Sequence, residues 1–171
     1  GDLNGDGYSE VIIAASPADN SAQGLIRLYA GGPQATEQTA SWNKPGNQED
    51  MYFGFAVNSA GDVNGDGFSD IIIGAPHYDN GQVNEGVVFI YQGTESGPQS
   101  SGYYFMKESN LAGAQFGFSV AGAGDVDRDG YDDVIVGAPY WEQGEGGADE
   151  GGAWVYRGTS SGMVSTPYWY K

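Results

Sequence analysis

One segment recurs three times along this chain. Gly1-Asp2-Leu3-Asn4-Gly5-Asp6-Gly7-Tyr8-Ser9-Glu10 runs into Val11-Ile12-Ile13. Gly61-Asp62-Val63-Asn64-Gly65-Asp66-Gly67-Phe68-Ser69-Asp70 runs into Ile71-Ile72-Ile73. Gly124-Asp125-Val126-Asp127-Arg128-Asp129-Gly130-Tyr131-Asp132-Asp133 runs into Val134-Ile135-Val136. Such repetition restricts a chain to architectures in which one small unit stacks on copies of itself. The spacing is longer than in most helical repeats, and no stretch carries a helical hydrophobic period. Glycine and β-branched residues are dense, which makes the elements short strands. Thirty of the 171 residues are glycine without a Gly-X-Y period, so a collagen helix is excluded.

The second repeat shows a full unit of four strands, at 52–60, 70–76, 86–93 and 102–107. The third gives 115–123, 133–139, 152–158 and 166–170. The first gives three, at 10–15, 24–30 and 39–42, and lacks the opening strand. The apolar run 71–76 is what a strand covered on both faces requires. Four-stranded antiparallel units in series predict an all-β fold of β-propeller blades. The chain reads as one repeat region, 1–171, divided near 1–51 (partial), 52–114 and 115–171. Closed propellers use about four to eight blades. About three therefore predict a piece of a larger propeller, or an array completed by other copies through its open blade edges.

The repeated core is D-x-[ND]-x-D-G-x-x-[DE]. Ca²⁺ takes about six to eight oxygen ligands, and a tight loop brings the first, third, fifth and ninth side chains to one point. The seventh residue offers its backbone carbonyl, and the sixth is glycine for the sharp turn. The first loop then supplies Asp2, Asn4, Asp6, the Tyr8 carbonyl and Glu10. The second supplies Asp62, Asn64, Asp66, the Phe68 carbonyl and Asp70. The third supplies Asp125, Asp127, Asp129, the Tyr131 carbonyl and Asp133. Oxygen donors without His or Cys exclude zinc and copper as the intended metals. The competing reading is three acidic Asx turns without metal, but three copies of such a cluster would repel themselves if empty. Helical calcium loops need an acid at the twelfth position, where this chain has Ile13, Ile73 and Val136. About three Ca²⁺ ions are expected.

Phe53-Gly54 precedes the second loop and Gly74-Ala75-Pro76 follows it; Phe116-Gly117 and Gly137-Ala138-Pro139 flank the third in the same way. With the calcium loop between them, these signatures resemble the FG-GAP repeat of the integrin α-subunit β-propeller and its bacterial relatives. The resemblance covers essentially the whole chain. The first repeat departs from it: no FG strand precedes its loop, Ala14-Ala15-Ser16 stands in place of GAP, and Glu10 replaces Asp. The resemblance implies that ligands are met on the face opposite the calcium loops, by the loops after GAP and between blades. Here those are 17–23, 77–85 and 140–151, with 43–51 and 108–114 between blades. Tyr78, Asp79, Tyr140, Trp141, Glu142 and Glu145 are the candidate partner-binding residues among them. Packing between blades is the competing role for the aromatic ones.

Charge and composition remove other classes. Six basic against 23 acidic residues give a net charge of −17, which argues against nucleic acid and anionic lipid surfaces. No apolar run is long enough to span a membrane. Without cysteine there is no disulfide framework, thiolate metal site or thiol nucleophile. Gly158-Thr159-Ser160-Ser161-Gly162 matches a nucleophile elbow by pattern. Gly93-Thr94-Glu95-Ser96-Gly97 occupies the same place without that Ser, so the segment reads as a turn. His77 is the one histidine, read as a loop residue without a triad. The leading expectation is a non-enzymatic, calcium-binding adhesion or protein-interaction module, extracellular or at the cell surface. A carbohydrate-binding propeller, a self-assembling surface or filament repeat, and an accessory domain of a secreted enzyme are the alternatives.

Overall fold

The computed structural model describes residues 1–15, 23–33, 39–142 and 150–171. Among these the structure is all-β, with eleven strands and no helix. They are β1 (Val11–Ala15), β2 (Leu25–Tyr29), β3 (Trp42–Pro45), β4 (Ala56–Gly61), β5 (Asp70–Ala75), β6 (Val87–Tyr91), β7 (Phe105–Glu108), β8 (Ser119–Gly124), β9 (Asp133–Ala138), β10 (Gly152–Tyr156) and β11 (Trp169–Tyr170). Three antiparallel meanders result, ordered β1-β2-β3, β4-β5-β6-β7 and β8-β9-β10-β11. These are propeller blades: one of three strands and two of four.

Alternation along the strands explains how the blades stack. Successive residues of a strand point to opposite faces. Ile71 and Ile73 of β5 join a core with Ile26, Leu28 and Trp42 of the first blade. Ile72, between them, joins a second core with Val134, Val136 and Trp154 of the third. The middle blade is thus apolar on both faces, and β5 is buried at every position. The outer blades are covered on one side. Ile12 and Ala14 pack inward, whereas Val11 and Ile13 are 43 % and 51 % exposed. On the third blade, Ile135, Ala121 and Ala153 line an outward hollow of about 160 Å³.

Several strand boundaries differ from the sequence reading: the strands read from 102, 115 and 166 begin at Phe105, Ser119 and Trp169, and two further differences have a clear cause. Residues 52–55 form a turn, and β4 begins at Ala56. Tyr52 and Gly54 have positive φ (57° and 85°), which swings Phe53 into the core between the first two blades. Gly117 repeats the turn at φ 85° and buries Phe116 in the second core. The first blade's last strand runs 42–45 rather than 39–42. Trp42 packs edge-on against Tyr91 at 5.5 Å, which anchors the strand, and an outer edge tolerates Pro45.

The GAP glycine marks the closest approach of two blades. A Cβ built on Gly74 would collide with the Gly117 carbonyl oxygen. Gly74→Ala is therefore expected to destabilise the fold by about 1–3 kcal/mol through overpacking. Urea denaturation checks this, and a change below about 0.5 kcal/mol would contradict the close contact.

Candidate metal centres

All three acidic loops close by hydrogen bonds of one kind, with small differences in the third. The first residue's carboxylate accepts backbone N–H groups from across the turn. Asp2 takes Gly5 and Gly7 at 2.7 and 2.9 Å, and Asp62 takes Gly65 and Gly67 at 2.7 and 2.8 Å. Asp125 takes Asp129 and Gly130 at 3.0 and 2.9 Å. Burial opposes ionisation of Asp2, but these bonds outweigh it and hold its carboxyl below the ordinary range. The fifth residue accepts the N–H of the seventh: Asp6 from Tyr8, Asp66 from Phe68, Asp129 from Tyr131. Asn4 and Asn64 each accept the N–H of the aspartate two residues on, Asp6 and Asp66, at 3.0 Å.

The ninth residue is the buried one. Glu10, Asp70 and Asp133 are each buried and accept the N–H of the loop's second residue, Leu3, Val63 and Val126. Asp70 and Asp133 use their other oxygen on Gly93 and Gly158, at the ends of β6 and β10, both at 3.0 Å. In the second and third loops this acid therefore ties the loop to the third strand of its blade. Glu10 engages Leu3 through one oxygen, and its other, Oε1, is buried without a partner.

Carboxylate oxygens converge in two loops. Those of Asp2, Asp6 and Glu10 lie within 4.8 Å of one another, as do those of Asp125, Asp127 and Asp133. Among the described residues the second loop's acids form no such group, and Asp129 stands outside the third loop's. Asp127 Oδ1 is a second buried oxygen without a partner.

Burial pushes the Asp70 carboxyl up to about 7, with Asp66 and Asp62 adding to the rise and the Val63 and Gly93 N–H groups opposing it. Burial raises Asp133 in the same direction. The folded value of Asp70 lies above its unfolded reference of 3.8. Its contribution to stability is therefore fully present below that reference and lost as pH rises through about 7. Cation-free protein is expected to lose stability from pH 4 to 7, with a shallower slope in Asp70→Asn. Calcium, which requires the ionised acid, is expected to stabilise more as pH rises. Thermal melts at four pH values, with chelator and with calcium, check the sign; equal slopes for the two proteins would remove Asp70 from the account.

The loops are also joined to one another. Ser69 N–H donates to the Asp2 carbonyl at 2.9 Å, and Asp132 N–H to the Asp62 carbonyl at 3.0 Å. The Asp132 carboxylate accepts the Asp62 N–H in return, at 2.8 Å. The aromatic seventh residue covers the preceding loop's glycine. Phe68 lies 2.9 Å from a Cβ built on Gly5, and Tyr131 lies 2.6 Å from one built on Gly65. The sequence reading used only the carbonyl of this residue. Its missed signal was an aromatic at that place in every copy, beside glycine at the fourth place in the first two.

Compared with known families, the chain matches the FG-GAP repeat over residues 53–91 and 116–156. It carries FG-GAP repeats. Its relatives include integrin alpha-4 of Xenopus laevis, 36 % identical over 159 residues, which are 93 % of this chain and 14 % of that protein. Human integrin alpha-6 is 36 % identical over 145 residues, 80 % of this chain and 12 % of the relative. Chicken integrin alpha-V is 32 % identical over 174 residues, 98 % and 15 % respectively. The FG-GAP chain thus spans only a small part of the length of these relatives.

Each GAP strand leads from an acidic loop to a second loop at its other end, where the candidate partner residues stand. Tyr140, 45 % exposed, and Glu142 line a cleft of about 360 Å³ with Leu111, Gly113 and Gln115. The other candidates have packing or bracing roles. Tyr78 meets Phe89 edge-on at 6.2 Å, and Trp141 meets Trp154 at 5.3 Å. Asp79 exchanges backbone hydrogen bonds with the Gln48 amide and accepts the Asn84 N–H. The 17–22 part of the first loop, and Glu145, lie outside the described residues. His77 packs on Tyr52 at 4.4 Å. The Thr159 hydroxyl donates to the Gly162 carbonyl at 2.6 Å, as Thr94 does to Gly97, so the apparent nucleophile elbow is the same turn in both FG-GAP blades. Sequence reasoning missed Glu85, fully buried in the loop after GAP. It accepts the Asn80 N–H at 2.6 Å, and its carbonyl accepts from Phe116 N–H and the Ser109 hydroxyl. Its signal was Glu-Gly before the third strand, repeated at Glu150-Gly151.

Proposed function

We propose that this chain is an extracellular, calcium-stabilised FG-GAP propeller module that serves adhesion or protein–protein interaction and performs no catalysis. One loop geometry built three times from hard oxygen donors is the observation that carries it. The donor set fits Ca²⁺: Glu10 Oε1 and Asp127 Oδ1 are buried without partners in the loops where carboxylates converge. Asp2, Asn4, Asp6, the Tyr8 carbonyl and Glu10 would hold one ion. Asp62, Asn64, Asp66, the Phe68 carbonyl and Asp70 would hold the second; Asp125, Asp127, Asp129, the Tyr131 carbonyl and Asp133 the third. Bound Ca²⁺ cancels the carboxylate repulsion that each loop concentrates. The chain's own part is to preset those loops, through the N–H groups that orient the first and ninth acids.

Extracellular modules bind Ca²⁺ at about 10⁻⁴–10⁻³ M, which external calcium keeps filled. The similarity to integrin alpha chains supports a protein partner, with the Tyr140–Glu142 cleft as its first point of contact. Edge-on packing of Trp141 on Trp154 favours this over sugar stacking. Calorimetric titration with calcium is expected to show about three sites in that affinity range, and about two after Asp62→Ala. No binding at millimolar calcium would overturn the proposal.

A further inference from the structure

The third loop differs from the others in a compensated way. Its third residue is Asp127, where the first two loops have Asn4 and Asn64. The residue that follows the third strand differs in step. Arg157 stands before Gly158 where the earlier repeats have Ala30 before Gly31 and Gln92 before Gly93. Arg157 Nη1 lies 3.0 Å from Asp127 Oδ2, the one ion pair among the described residues. The other oxygen of Asp127, Oδ1, is buried and without a partner, and Asp127 is one of the three acids, with Asp125 and Asp133, whose carboxylates converge. Tyr168 backs the guanidinium, with its ring centroid 5.2 Å away.

We infer that Arg157 is a positioning residue of the third cation loop: it holds Asp127 by Oδ2, leaves Oδ1 to the cation, and cancels the added carboxylate's charge. The inference rests on the calcium reading above. A loop with Asp127 and no Arg157 would carry one more negative charge than the pair allows. A loop that kept Arg157 after Asp127→Asn would present an unbalanced positive charge to an incoming cation. The pair contributes no net charge, like Asn64 and Gln92 at the same places in the second repeat.

A double-mutant cycle followed by amide NMR separates these effects. Gly7, Gly67 and Gly130 hold the sixth place in the three loops, and each N–H reports calcium at its own loop. Asp127→Asn is expected to weaken the Gly130 midpoint at least tenfold. Asp127→Asn with Arg157→Gln, which recreates the second loop's pairing, is expected to recover at least fivefold of that loss. Arg157→Gln alone is expected to shift the midpoint less than threefold, and the Gly7 and Gly67 midpoints hold throughout. If Arg157→Gln acts equally in the unaltered protein and in the Asp127→Asn variant, the pairing is overturned while calcium binding stands. If none of the three glycines responds to calcium in the unaltered protein, the calcium reading falls and this inference with it.

Discussion

Stripping calcium is expected to lower the melting midpoint by tens of degrees. A ligand at 100 times its dissociation constant stabilises by about 2.7 kcal/mol per independent site. Three filled sites would then contribute about 8 kcal/mol, comparable to the roughly 5–15 kcal/mol that holds a typical domain folded. At roughly 2–4 °C per kcal/mol for a chain of this size, the shift is about 15–30 °C. The loops can transmit that effect because their ninth acids reach into the blades: Asp70 and Asp133 grip the ends of β6 and β10. Scanning calorimetry in calcium and in chelator measures it. A midpoint that ignores millimolar calcium would leave the loops as self-satisfied Asx turns.

Phe116→Ala is expected to cost about 3–5 kcal/mol, the usual range for truncating a fully buried aromatic. The ring is 1 % exposed and sits between the second and third blades. It packs edge-on against Trp154 at 5.3 Å and Tyr156 at 6.3 Å. Phe53 makes the same kind of contact with Phe89 at 5.8 Å, one junction earlier. Denaturant unfolding with a Phe116→Leu comparison tests whether the ring is the wedge. A loss below about 1 kcal/mol, the average for any substitution, would mean that the blades cohere by other contacts.

Much of this architecture was written in local pattern. An apolar run such as 71–75 has no polar position to turn outward, so it announced a strand buried on both faces. The repeat itself pointed to antiparallel sheets in series, three of which are formed by the described residues. What stayed hidden depends on distant partners. Tyr52-Phe53-Gly54 reads as the head of a strand until the neighbouring core draws Phe53 away from the ladder. Thr39 to Trp42 reads as a strand until Trp42 finds Tyr91 in the next blade. At the acidic loops, residue types marked the oxygen donors, but not that Asp70 spends both oxygens on backbone N–H groups. Glu85 was invisible for the same reason: its carbonyl is held by Ser109 and Phe116, far along the chain.

The junctions between blades also have a direction. Leu3 and Val63 are buried under the blade that follows, whereas their counterpart Val126, on the last blade, is 44 % exposed. Ser69 and Asp132 donate backward, and Phe68 and Tyr131 reach backward. Donor and acceptor surfaces are therefore different patches, and each junction is heterologous, head to tail. Two copies related by a two-fold axis would set like against like and could not reproduce it. Whatever covers Val126 in this manner must present a backward face resembling that of the second or third blade. Whatever covers Val11 and Ile13 must present the opposite one.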